Sequence, residues 1–134
     1  MDDLKSELKA LLACEASERD TTLLIAPHGF QDFLQFHDVT TRAERAVSRL
    51  GYDGALQLAS FHPDFQFAGT DADDIGNHSN RAPYPTLHLL REASVDRAVD
   101  SFPEAEAIFE TNMATLEKLG PEGWAALGVG PSEP

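Results

Sequence analysis

PTLHLLREA, residues 85–93, follows the long loop of this chain and reads as the start of its C-terminal helices. Drawn as a helix, the stretch puts Leu87, Leu89, Leu90 and Ala93 on one side. His88 then falls almost opposite them, beside Arg91 and Glu92, where it meets solvent or a cleft rather than the core. Pro85 suits the first turn of such a helix, where a missing N–H costs nothing. Read this way, the chain keeps only two convincing strands.

The first is Thr21–Ala26, TTLLIA, a short apolar run ended by Pro27, which cannot donate to a ladder. The second is Ala55–Phe61, ALQLASF, apolar on both faces as in a covered parallel sheet. Between them the spacing predicts two helices. Phe30, Phe33 and Leu34 fit a short one. Asp38 caps a second, whose stripe is Val39, Ala43, Ala46, Val47 and Leu50 and whose terminal glycine is Gly51. Strand, helices, strand makes a right-handed βαβ unit over residues 21–61.

Around this unit, residues 1–20 form an amphipathic helix (Leu4, Leu8, Leu11, Leu12) and a polar linker. Residues 62–84 form a long ordered loop, in which Phe65 and Phe67 offer a short third strand. Residues 85–120 hold the C-terminal helices. One is capped by Ser94 and closed by Pro103. The other runs from Glu104 with Ile108, Phe109, Met113, Leu116 and Leu119 inward, and stops at Gly120-Pro121. Residues 121–134 are a weakly patterned tail that frays at its end. The whole, 1–134, reads as one α/β or α+β domain: a small sheet with helices packed on it. Two strands make a marginal sheet, so a third comes from the loop, from a partner chain as in a homodimer, or from sequence further upstream.

Charge and cysteine content narrow the function. The net charge of -13 repels phosphate backbones and anionic membrane surfaces, so neither nucleic acid nor membrane is an expected partner. With a single cysteine, Cys14, there is no disulfide framework and no cysteine-based zinc site within the chain. The acidic, amphipathic start lacks the pattern of a signal peptide, and a cytoplasmic location is expected.

Ligands of open α/β sheets bind beyond the carboxyl ends of the strands. Both strands end beside a histidine, His28 and His62, so the two share a rim if the strands are parallel neighbours. FHPDFQFAG, residues 61–69, then supplies Asp64, and the loop adds Asn77, His78, Asn80, Arg81 and Tyr84. His62 and Asp64 suit a general base and its orienter, or two ligands of a divalent metal completed by His78. A plainer reading stands beside it: the His62 ring bonds a loop carbonyl and Asp64 makes a turn after Pro63. Arg81 suits a bidentate grip on an anion, with Asn80, His28 and His88 as further ligand contacts; the alternative is an ion pair to Asp71, Asp73 or Asp74. Tyr84 is a further catalytic candidate. No calcium loop, nucleophile elbow or phosphate-binding glycine loop occurs.

The run ASFHPDFQFAGTDADDIGNHSNRAPYPTLHLLREASVDRAV resembles the bacterial family of domain of unknown function 1415, and the similarity extends from TTLLIAP to LEKLG. The resemblance implies no reaction, since the family's function is uncharacterised. It also implies an upstream Asn-Leu-Cys-Pro-Phe segment that this chain lacks, and the context of Cys14, ALLACEA, does not replace it. The residues therefore leave two functions in view. One is a small-molecule enzyme, a hydrolase or lyase acting on an anionic metabolite at the strand rim, with or without a divalent metal. The other is a noncatalytic module that binds a small ligand or a protein.

Overall fold

A computed structural model describes residues 2–102 and 104–129 of the chain. The expected closing role of Pro103 and the fraying of residues 130–134 lie outside them. The elements run α1 (Asp2–Ala13), β1 (Thr22–Ile25), α2 (Phe33–Arg49), β2 (Leu56–Phe61), a 3-10 turn (Ile75–Asn80), β3 (Thr86–Arg91), α3 (Glu92–Asp100) and α4 (Ala105–Ala126).

Within PTLHLLREA the stretch Thr86–Arg91 is a strand, not a helix. It forms β3, the centre of a three-stranded sheet ordered β1-β3-β2, and pairs antiparallel with both neighbours. The leucine spacing here satisfies a helix and a strand equally, and the unpaired backbone edges of β1 and β2 settle the matter. The expected pairing of β1 with β2 is corrected by the same fact. The two strands point the same way and are joined through α2, but β3 lies between them. The third strand thus comes from the chain itself, and Phe65 and Phe67 lie in irregular backbone.

The register sorts the side chains. Leu24 sits opposite Leu87, and Leu58 opposite Leu89, so these share a face with Leu56. Leu4, Leu8 and Leu11 of α1 and Phe36, Ala43, Ala46 and Val47 of α2 pack over that face to make the core. The opposite face carries Leu23 and Ile25, 55% and 54% exposed, with His88, Leu90, Ala59 and Phe61 half-buried. β2 is therefore covered on one face, not both: its inward residues alternate with Gln57, Ala59 and Phe61. His88 is off the core as expected, but because it lies on the second face of a strand.

Helix α2 is continuous, and Asp38 lies inside it. Its cap is Asp32, whose side chain accepts the Gln35 N–H. The helix ends as expected at Gly51, whose φ of 77° lets its N–H reach Ser48 O and the Tyr52 N–H reach Val47 O, each at 3.0 Å. Ser94 is not a cap either. Helix α3 begins directly after β3 with Arg91 at its N-cap, and the Ser94 hydroxyl donates to Asp20. Arg91 serves a different end: its guanidinium donates to the carbonyls of Leu11, Cys14 and Arg19, and so closes the C-terminal end of α1 against β3.

Helix α4 packs on the 3-10 turn. Met113, Leu116 and Leu119 face inward as expected, but Ile108 and Phe109 are exposed, Phe109 by 62%. Gly120, with φ 66° and ψ 175°, breaks the helix at the expected place. Pro121 then opens a further helical stretch that carries Trp124. No helix among the described residues is long and apolar enough to cross a membrane.

Candidate functional site

β1 and β2 end level with each other, since Ile25 and Phe61 both pair with Thr86. The loops that carry His28 and His62 leave this one end of the sheet. His28 is exposed in the turn after Pro27, whereas His62 is fully buried.

The surroundings of His62 fix its ring. Nε2 lies 2.8 Å from the Phe30 carbonyl oxygen, which can only accept, so Nε2 carries the proton and donates. Nδ1 in turn accepts the main-chain N–H of Asp64 at 2.9 Å. The rings of Phe33 and Phe36 stand against it, with centroids 5.3 and 5.2 Å away. Both nitrogens are engaged, leaving no lone pair aimed at a metal or a substrate proton. The plainer reading of HPD therefore describes the geometry: it is a main-chain clasp, and Asp64 itself is exposed.

The rest of the 62–84 loop is held the same way. Asn77 is fully buried; its side chain accepts from the Phe67 N–H and the Thr70 hydroxyl and donates to the Asp71 carbonyl. Asn80 donates to the Ser60 carbonyl, and its own carbonyl accepts the His62 N–H. Arg81 donates from Nε to the Phe65 carbonyl and from Nη2 to the Ala72 carbonyl, at 3.1 and 2.8 Å. No ion pair joins it to Asp71, Asp73 or Asp74 among the described residues, where the one ion pair is Arg19–Glu7. Tyr84 is exposed, and its carbonyl accepts the Thr86 hydroxyl.

The expected metal set of His62, Asp64 and His78 is not assembled. Among the described residues, no three side chains of His, Cys, Asp or Glu are arranged to hold an ion. His78 instead donates from Nδ1 to the Ile75 carbonyl at 3.1 Å, which leaves Nε2 as a bare acceptor. Its ring meets the Trp124 indole edge to face, 4.5 Å between centroids.

His78, Arg81 and Trp124 share a cleft of about 240 Å³ with Pro63, Ala82, Pro83 and Val129. Here the loop residues and the last helix come together. The Nη1 group of Arg81 makes no hydrogen bond among the described residues, and neither does Nε2 of His78. The residues that line the cleft thus include a histidine whose Nε2 and an arginine whose Nη1 make no hydrogen bond among the described residues, and a tryptophan ring. Sequence reasoning finds Arg81 and His78 but misses Trp124, which it leaves in a weakly patterned tail. The one available signal was Pro121, which can start a helix as well as follow one.

The family model described as protein of unknown function (DUF1415) matches residues 1–126. No curated protein and no solved structure matches the chain.

Proposed function

From the premise that the chain belongs to this family of proteins of unknown function, we propose that it is a noncatalytic module that binds a small planar anion in the cleft of His78, Arg81 and Trp124. The observation that carries the reading is Arg81. Its Nε and Nη2 are anchored to loop carbonyls, which fixes the guanidinium of a residue that lines the cleft and leaves Nη1 without a hydrogen bond among the described residues. A preorganised guanidinium favours a planar oxyanion such as a carboxylate. Trp124 supplies a face for a planar ligand body. At about 240 Å³ the cleft is smaller than the roughly 300–1,000 Å³ of a drug-sized ligand site, so the ligand is small. The hydrolase or lyase reading has less support, because the histidine it relied on as base, His62, has both nitrogens engaged.

Trp124 is the chain's one tryptophan, so its indole N–H gives a single NMR signal beside the site. Benzoate is expected to shift that signal saturably, with a Kd of about a millimolar for so small a ligand. Benzamide, the neutral analogue, is expected to bind at least about tenfold more weakly, because it lacks the charge that strengthens a bond to guanidinium. A signal unmoved by benzoate, or moved equally by both, overturns the reading.

A further inference from the structure

A second cleft of about 240 Å³ lies at the other side of the sheet end, between α1, β1 and α2. Its walls include Leu24, Phe36, Val39 and Leu87, and Phe30 stands at its rim, 41% exposed. The one ionisable residue lining it is Asp3, in the first turn of α1.

Phe30 is unusual. Its φ of 58° puts a bulky residue in the left-handed region, and it is the one non-glycine with positive φ among the described residues. Such a conformation is unfavourable and persists only where the surroundings hold it. What holds it is His62: the Nε2–H bond to the Phe30 carbonyl fixes the backbone from the buried side. A buried histidine is thus used to keep an aromatic ring at the edge of an apolar cleft. Packing alone gives no reason for the strain, since the Phe30 ring remains substantially exposed.

We infer that this cleft, rimmed by Phe30 and with Asp3 at its edge, binds a short aliphatic molecule whose polar end donates a hydrogen bond. The apolar walls take the chain, since each buried methylene is favourable. Asp3 sets the polar end. A carboxylate accepts from a hydroxyl or ammonium and repels another carboxylate. The site shares no lining residue with the His78–Arg81–Trp124 cleft and disfavours an anion, so the two stand or fall independently.

The test is titration of the full chain with 1-hexanol, hexylamine and hexanoate, following the methyl signals of Leu24 and Leu87 by NMR. Hexanol and hexylamine are expected to shift these methyls saturably, and hexanoate at least about tenfold more weakly. Asp3→Asn is expected to close that gap to within about threefold. Val39→Phe, which fills the cleft, is expected to abolish the shifts while the far-ultraviolet circular dichroism stays native. Should that variant not fold, the wild-type methyl map and the Asp3→Asn comparison carry the decision alone. Methyls unmoved by hexanol and hexylamine, or moved as strongly by hexanoate, overturn the inference.

Discussion

The ring of His62 bonds the carbonyl of Phe30 across 32 positions of sequence, and so ties together the two loops that leave one end of the sheet. That bond, with the Asp64 N–H on the other nitrogen, gives the histidine a structural task with a measurable size.

His62→Ala is expected to lose about 2–4 kcal/mol of stability in urea unfolding. The loss combines a cavity among Phe33 and Phe36 with a carbonyl and an N–H left without partners. His62→Gln, whose amide can donate toward Phe30, is expected to recover part of it. A loss below about 0.5 kcal/mol, the size of an ordinary surface change, would show that the clasp is not needed.

Asn77→Asp gives a pH-dependent defect. The carboxylate can still accept from Phe67 and Thr70, but it faces the Asp71 carbonyl without a donor. Burial disfavours the charged form, so the new carboxyl has a higher pKa folded than unfolded. The folded chain then holds the proton more tightly. The deficit relative to wild type is smallest below the unfolded pKa and grows as pH rises through the folded one. Urea midpoints at acidic and neutral pH check the direction; a deficit that shrinks with rising pH contradicts the assigned amide orientation.

Arg91→Lys is expected to cost about 1.5–3 kcal/mol, although charge is kept. One guanidinium reaches the carbonyls of Leu11, Cys14 and Arg19, and an ammonium cannot reproduce that fork. Hydrogen exchange should show the loss concentrated in α1. Protection of α1 unchanged by the substitution would count against the capping role.

Gly76→Ala is expected to loosen α4. An added Cβ would come 2.9 Å from the Met113 sulfur and 3.2 Å from an Asp74 carboxylate oxygen. Methionine yields more easily than a branched side chain, so the cost is about 1–2 kcal/mol rather than a failure to fold. Limited proteolysis after residue 104 should accelerate in the variant, and an unchanged cleavage rate would show that the helix docks elsewhere.

Much of this is legible in the sequence where local chemistry governs. β1 announces itself through an apolar run cut by Pro27, and α2 ends where Gly51 supplies the positive φ. β3 is illegible because leucine forms helices readily and Leu87, Leu89 and Leu90 fit both periods. What makes it a strand is a neighbour on each side, supplied by residues dozens of positions away. The same holds at the site. A histidine bonded to a loop carbonyl could be read from HPD, but not that the carbonyl is that of Phe30. Trp124 was hidden because what gives it a place at the cleft is its contact with His78, a residue far from it in the chain.

The central place of β3 has a consequence for the order in which the chain is made. Every rung of the sheet has one end on residues 86–91, yet these are the last of the strand residues to leave the ribosome. Until they emerge, β1 and β2 are nascent segments with no neighbour to pair with, and Leu24, Leu56 and Leu58 have no sheet to bury them. Synthesis that stops short of Thr86 leaves two unpaired, apolar strands in the cell, the kind of product that aggregates or is removed by quality control.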